Sequence, residues 1–539
     1  MTFHTGDRYT LTFFTAQSGA LSVRLDKADG TSLHLHSLVD PEKEADYFSD
    51  LRCWGDRLVL AGSGLGYHLS HILASVRQNT TILLVEYYDE LAERTVGSFP
   101  EQLRNRVTVI TGTTVTWREN VDRFLLGGHY VQIVKHPPSV SAHGDFYRII
   151  LKALSRKVPA SSVNRSGIIM QGDFFLEREL IHAAAENGTN LFPFNYKQHK
   201  TTPLYELELQ KLLETKRPEM LISVNMLGFD GNGILAEYTQ HRGIPVVVWF
   251  VDDPRPILLN QQRYLTPNMI ACTWEHSYME FLRKQGFSKV DYLPLATDPH
   301  QFCNVAPLID TVPCGFIGTS MGKSFLDEIA LKFLYKEEYC DSVRKIAEKI
   351  AVDTMADIDG LIQGESAIFS DLDNANRTWL RSYIIHTASM IKRRKVINRL
   401  KTVGVQTFGD ADGWKKLCGP EIVTHPDIDY RTEIEGYYRS VTVNINITSC
   451  QMPTAVNQRI FDVPVCGSFI LTDHQSDLEE LFAPNEYVSY RSAEECAEKV
   501  SWYLNRSSDR KKVAAAARTH ILLEHTYKKR LQKLFRGIL

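Results

Sequence analysis

The sequence predicts an α/β protein built on parallel sheets, and three observations carry that expectation. Short apolar runs such as Leu58-Val59-Leu60-Ala61, Val246 to Val251 and Phe469-Ile470-Leu471 alternate with segments whose apolar residues recur at helical spacing. The runs are apolar throughout, as in parallel strands covered on both faces by helices. They end in glycine-rich or polar loops, at the edge where doubly wound sheets bind ligands. At 539 residues the chain has room for about three or four domains. The alternation divides it into 1–157, 166–308 and 311–539.

Composition narrows the function classes. A hydrophobic fraction of 43% and a charged fraction of 23% are those of a soluble globular protein. A net charge of −3 and a pI near 6.7 give no global attraction to nucleic acid or anionic membrane. The basic runs Lys392 to Lys395 and Lys528 to Arg530 read as solvated helix faces, with peripheral membrane contact as the alternative. Nine cysteines without a C-x-x-C pair argue against a zinc ribbon or a disulfide framework. The start MTFHTGDRYTLTFF has no signal-peptide pattern, and no apolar run reaches membrane-span length. A cytoplasmic protein is expected.

The first region opens with a polar strand-like stretch. Arg57 to Ala61 is a strand, Gly62-Ser63-Gly64-Leu65-Gly66 a glycine turn, and a helical pattern follows through Val76. Ile82 to Val85 is a second strand ending in Glu86, and Val107 to Ile110 a third. Strand, glycine turn, helix, strand and terminal acid make a mononucleotide-binding unit. Tyr67 stands where a third glycine of the dinucleotide fingerprint would be. The turn resembles that of S-adenosylmethionine methyltransferases, with Glu86 at the ribose acid, and the region resembles the Rossmann-like N-terminal part of the motility accessory factors. The alternative is a turn whose glycines only allow tight strand-to-helix packing.

Pro159 to Ser162 supplies a linker-like break. In the second region, strands are expected at Gly167 to Met170, Met220 to Val224 and Val246 to Val251, and helices at Phe175 to Asn187, Leu204 to Leu213 and up to Gly243. Two strand ends carry polar loops, Asn225 to Gly233 and Asp252 to Arg255. A carboxylate there, Asp230, Asp252 or Asp253, is placed to take a proton from an acceptor hydroxyl. The competing role for Asp252 and Asp253 is capping, because Asp is a preferred N-cap and Pro254 suits a first helical position.

In the third region Val312 to Ile317 is a strand leading into Gly318-Thr319-Ser320-Met321-Gly322-Lys323-Ser324. A Walker loop needs four residues between its glycines and here there are three. A glycine turn at a helix start still offers amides and a positive dipole end to an anion. Gly318, Thr319 and Gly322 are therefore candidate phosphate contacts, and Lys323 a candidate counter-charge. A helical insert is expected over 324–400, with strands near Val405 to Asp410 and Val441 to Ile447, then a basic terminal helix, Val513 to Phe535.

Asn457 to Asp473, NQRIFDVPVCGSFILTD, combines a short helix, a glycine-terminated corner at Cys466-Gly467 and a buried strand. This stretch resembles the C-terminal lobe of the CgeB-like (spore maturation protein) glycosyltransferases. Ile244 to Pro256 with Tyr292 to Ala296 resembles the N-terminal lobe found with it. The resemblance implies the GT-B architecture: two Rossmann-like lobes facing a cleft, here over 166–308 (acceptor) and 311–539 (donor), preceded by an additional N-terminal Rossmann-like domain. It places Asp462 at the acid that holds the donor ribose, Arg459 against the leaving diphosphate and Asn457 beside the donor. The family pattern has a second acid where this chain has Thr454, which leaves retaining and inverting outcomes both open.

The triplets Asp357-Ile358-Asp359, Asp371-Leu372-Asp373, Asp410-Ala411-Asp412 and Asp427-Ile428-Asp429 match the manganese-binding D-x-D pattern by residue type. None follows an early nucleotide-binding strand, so no catalytic metal and no cofactor are expected. The implied function is transfer of a sugar from a nucleotide sugar to a hydroxyl of a protein such as flagellin or of a cell-surface polysaccharide. A methyltransferase run by the first region and an inactive nucleotide-sugar-binding protein are the alternatives.

Overall fold

The computed structural model describes residues 9–128, 130–155, 165–199, 201–259, 261, 264–302, 311–333 and 335–538. The expected break at Pro159 to Ser162 lies outside them. Two compact units are formed: Met1–Phe174 with Thr189–Ser223 and Leu227–Val246, and Phe175–Gly188 with Val224–Met226 and Val247–Leu539.

Tyr9–Thr15 (β1), Leu21–Lys27 (β2) and Ser32–His34 (β3) make a small antiparallel sheet. Arg57–Ala61 (β4), Thr81–Val85 (β5), Val107–Ile110 (β6) and Val131–Lys135 (β7) form a parallel sheet in the order β6-β5-β4-β7. Leu58 to Ala61 and Ile82 to Val85 have no exposed surface, which is why neither run alternates.

The next sheet takes Arg165–Gln171 (β8), Thr189–Asn195 (β9), Met220–Val224 (β10), Val246–Phe250 (β11), Met269–Thr273 (β12) and Lys289–Tyr292 (β13) in the order β13-β12-β11-β10-β8-β9. The last contains Val312–Ile317 (β14), Val405–Phe408 (β15), Val423–His425 (β16), Val441–Asn446 (β17), Ile470–Asp473 (β18) and Val488–Tyr490 (β19), parallel throughout in the order β16-β15-β14-β17-β18-β19. Counted from its own first strand this order is 3-2-1-4-5-6, the doubly wound dinucleotide-binding order. The protein is thus α/β, with Rossmann-like parallel sheets that include an N-terminal one.

Between β14 and β15 the helices Lys323–Ala330, Cys340–Val352, Ile358–Gly364 and Asn374–Leu400 form the expected insert. Tyr339, Phe369, Leu380, Ile384 and Ala388 are fully buried in its own apolar cluster. At roughly 1.5–3 kcal/mol for each large apolar side chain, this core stabilises the insert as a packed body.

Two expectations are corrected. The terminal helix is two helices, Ser507–Glu524 and Tyr527–Ile538. Between them Thr526 pairs as a short β-bridge with Thr297, which takes those residues out of helical geometry. The basic runs are not uniformly solvated. Lys392 pairs with Asp473 at 2.6 Å and Arg393 is 5% exposed, while Arg530 donates to the carbonyls of Pro294 and Leu295. Among the described residues no helix is long and apolar enough to cross a membrane.

Candidate functional site

In the last sheet the strand order reverses between β14 and β17, and ligands of doubly wound sheets bind beyond the carboxyl ends at such a point. The turn after β14 is held from several sides. The Gly318 amide donates to the Phe408 carbonyl at 2.9 Å, and the Gly318 carbonyl accepts from Trp414 Nε1 at 3.0 Å. Arg393 Nη1 donates to the Thr319 carbonyl at 2.7 Å. Asp410 accepts from the Ser320 amide at 2.9 Å and from its hydroxyl. The Gly322 amide is spent on Ser320 Oγ at 3.0 Å, so the amides of both expected glycine contacts, Gly318 and Gly322, are engaged within the protein. Gly318 has φ +144°, and a Cβ there would lie 3.2 Å from Arg459 Nη2. Lys323 is exposed at the first position of its helix.

Two guanidiniums converge beside this turn. Arg459 opens the helix Arg459–Val465 and Arg393 comes from the helix Asn374–Leu400, with their guanidinium carbons 5.8 and 5.6 Å from the Phe316 ring centre. Asn446, at the end of β17, accepts from Asn457 Nδ2 at 2.7 Å and from Arg459 Nη1 at 3.5 Å. Arg393 Nε is buried without a hydrogen-bond partner among the described residues. Burial and the charge of Arg459 lower its pKa to about 9. Neither arginine has a carboxylate partner among the described residues. Two nearby cations without a hydrogen-bonded carboxylate among the described residues favour an oxyanion, which planar guanidiniums bind in bidentate fashion.

Sequence reasoning missed Arg393, and its signal is a stripe. Ser389, Arg393, Val396, Ile397 and Leu400 are all buried, so the arginine stands on the helix's apolar face. A cation in such a stripe has a partner or a ligand.

The expected ribose acid is corrected. Asp462 has no exposed surface and accepts from Thr297 Oγ1 at 2.7 Å, Tyr430 OH at 2.8 Å and Gln458 Nε2 at 3.1 Å. Burial pushes its pKa up to about 7. Its carboxyl is an internal hub shut off from solvent, a setting that disfavours the expected ribose contact. At Thr454, where the family pattern has another acid, a carboxylate does arrive from elsewhere. Glu275 accepts from Thr454 Oγ1 at 2.8 Å and from the amides of Thr454 and Ala455 at 3.0 and 2.9 Å. Glu275 is also fully buried, so it is a structural lock.

The three candidate bases separate. Asp230 accepts from the amides of Asn232, Ile234 and Leu235 at 2.8–2.9 Å, capping the helix Ile234–Arg242; this corrects its expected role as a free base. Asp253 is the N-cap of the helix Pro254–Leu258, bonded to the Arg255 amide and side chain, so capping is its role as well. Asp252 is different. It accepts from Asn225 Nδ2 at 2.7 Å and Gln451 Nε2 at 3.4 Å, and burial pushes it up to about 6. A carboxyl poised there is suited to proton transfer near neutral pH.

Of the eight D-x-D acids, Asp357, Asp373 and Asp410 cap helices, Asp371 pairs with Lys336 and Asp359 with Arg381. Among the described residues His36, Glu44 and His136, and separately His276, Asp477 and Glu480, bring three possible ligand atoms within 4.8 Å of one another. Neither group contains a D-x-D residue.

The glycine turn of the first region is filled by the protein itself. Glu86 accepts from the amides of Ser63 and Gly64 at 2.7 and 3.3 Å, so it is not the free ribose acid expected. His36 Nε2 accepts from the Leu65 amide at 2.7 Å, while His36 Nδ1 donates to Glu44 at 2.6 Å. The fully buried His68 ring stacks on His136. The packing alternative describes this turn.

Residues 385–536 match a family model described as "Glycosyl transferase-like". No curated protein sequence matches the chain. Among solved structures, sucrose-phosphate synthase from Thermosynechococcus elongatus is 11% identical at TM-score 0.43, covering 70% of this chain and 99% of its own. T4 phage β-glucosyltransferase is 12% identical at TM-score 0.40, covering 69% and 99%. Anabaena Alr3699/HepE, solved with UDP, is 10% identical at TM-score 0.38, again covering 69% and 99%. At these values the solved structures assign neither substrate nor mechanism to this chain.

Proposed function

We propose that this chain is a metal-independent glycosyltransferase of the GT-B kind, moving a sugar from a nucleotide-activated donor to an acceptor hydroxyl. The observation that carries the reading is the pair Arg393 and Arg459, without carboxylate partners, at the switch point of a doubly wound sheet. Both lie inside the segment that matches the glycosyl transferase-like family model. Region 311–539 is then the donor lobe, 166–308 the acceptor lobe, and 1–157 an added domain suited to holding a large acceptor. That acceptor is a protein or a cell-surface polysaccharide, as the CgeB-like resemblance implies.

In this reading Gly318, Thr319 and Asn457 line the donor diphosphate, with Lys323 at the rim. Charge on the departing diphosphate grows as the glycosidic bond breaks. The two guanidiniums meet that charge, supplying what a divalent metal supplies elsewhere. Asp252 takes the proton of the incoming hydroxyl.

The test is release of nucleoside diphosphate from a panel of nucleotide sugars by the full-length protein, with and without a chelator. Release from at least one donor, unaffected by chelation, is expected. No binding or release with any donor overturns the reading. Complete loss on chelation, restored by manganese, overturns its metal independence.

A further inference from the structure

A cavity of about 800 Å³ within the second unit has no part in the donor site. Its walls are the helices Pro254–Leu258, Met279–Gln285, Ile358–Gly364 and Asn374–Leu400. Arg255, Arg377 and Arg381 line it with one lining carboxylate, Asp359, and Arg255 is also paired with Asp253 at 3.1 Å just outside the wall. Arg381 pairs with Asp359 at 2.8 Å, and its buried Nε has no hydrogen-bond partner among the described residues. Among the described residues Arg377 donates to the carbonyls of Leu372 and Phe369, at 3.0 Å each. Arg255 is held between two rings, its guanidinium carbon 5.2 Å from the Tyr278 centre and 5.1 Å from that of Phe281. A cation stacked this way is fixed before any ligand arrives.

The rest of the wall is of another kind. Gln285, Gln363, Ser366 and Thr378 offer amide and hydroxyl groups that both donate and accept, the pairing that sugar hydroxyls need. A smaller cavity of about 140 Å³ shares Arg255, Asp359 and Arg381 and continues to Gln451, whose side-chain amide donates to Asp252. The two cavities thus adjoin, and the smaller one reaches the residue that donates to the carboxyl read above as the base. Arg381 and Arg393 stand 12 residues apart on one helix, about 18 Å at a rise of ~1.5 Å per residue. A single sugar cannot reach from this cavity to the diphosphate, whereas an oligomer can.

We propose that this cavity binds an acidic saccharide, the carboxylate-bearing portion of an oligomeric acceptor whose reacting hydroxyl lies at Asp252. The proposal rests on the glycosyltransferase reading and names its acceptor class. Guanidiniums recognise the carboxylate in bidentate fashion, and the amides and hydroxyls take the ring hydroxyls.

The experiment uses the full-length protein, an oligogalacturonate and the same oligomer as its neutral methyl ester, with binding measured by calorimetry at two salt concentrations. The acid form should bind at least tenfold more tightly than the ester, and more weakly at the higher salt. Arg381→Gln should cut acid binding at least tenfold. Gln363→Glu, at an exposed position where folding is not at stake, should do the same by adding a like charge. Equal binding of acid and ester, or none of either, in a protein that turns over a nucleotide sugar overturns the cavity assignment and leaves the glycosyltransferase reading standing. Tight, charge-dependent binding in a protein that neither binds nor hydrolyses any nucleotide sugar overturns the acceptor role.

Discussion

Asp462 shows how a residue's place and its role part company. The run Asp462 to Gly467 marks a corner in the sequence, and the helix Arg459–Val465 with Gly467 at φ +78° is that corner. The role came out differently because Thr297 and Tyr430, which hold the carboxyl, lie 165 and 32 residues away and no spacing reveals them. A carboxyl whose folded pKa is raised to about 7 keeps its proton in the native chain between about pH 4 and 7, where the unfolded chain has lost it. Its contribution to stability is therefore complete below pH 4 and is lost as pH rises through 7, a change on the order of 4 kcal/mol. Asp462→Asn removes that titration. Denaturant unfolding should show the variant gaining stability relative to the unmodified protein from pH 5 to pH 8, and a difference independent of pH would contradict the buried hub. Burial raises Asp252 to about 6, and in the proposed role of base it must be ionised. Acceptor-dependent kcat/KM should rise through pH 6 and level off above it, and Asp252→Asn should flatten the profile while lowering the rate by at least a hundredfold. A bell with its maximum below pH 6 would assign the proton transfer elsewhere.

At the scale of elements the sequence was most legible where structure is local. β4, β6, β10 and β14 follow their expected runs residue for residue, and in β4 and β10, buried on both faces beyond Arg57, the lack of alternation has its physical reason. It was least legible where a distant segment intervenes. The terminal helix breaks at His525 and Thr526 because Thr297 pairs there, and Arg393 reads as surface charge until its helix face is seen to be buried. The turn after β14 is another such case. Asp410, at φ +50°, caps the helix Ala411–Cys418 and holds Ser320. Asp410→Ala should cost about 1 kcal/mol for the cap and roughly 1–2 kcal/mol for alanine in the left-handed region. Asp410→Gly should recover the second part and not the first. In thermal denaturation the order should be wild type, then Gly, then Ala, and both variants should bind nucleoside diphosphate more weakly. The first region offers a parallel case. Gly64 has φ +49° and a Cβ there would sit 2.3 Å from His36 Nε2. Gly64→Ala should destabilise that region by several kcal/mol, with part recovered in Gly64→Ala/His36→Ala, and should leave donor affinity unchanged. A tight S-adenosylmethionine site abolished by Glu86→Ala would instead reopen the cofactor reading.

For the whole molecule, the class of fold was readable because alternation of strand and helix repeats along the chain and dictates parallel sheets. The anion site was readable in part. Gly318, Arg459 and Asn457 sit in sequence motifs, whereas Arg393 and Asn446 reach it only through the strand order of the last sheet. In the proposed reading these separate pieces assemble one diphosphate site whose charge balance is completed by the donor. Calorimetric titration of the full-length protein with nucleoside diphosphates of each common base, repeated for Arg393→Gln and Arg459→Gln, tests this most directly. Each charge-assisted contact is worth about 1.5–3 kcal/mol, so each substitution should weaken binding of the preferred diphosphate by roughly 10- to 150-fold. Melting temperatures should stay level or rise, because each change relieves repulsion between unpaired cations. Unchanged diphosphate affinity in both folded variants would contradict the account.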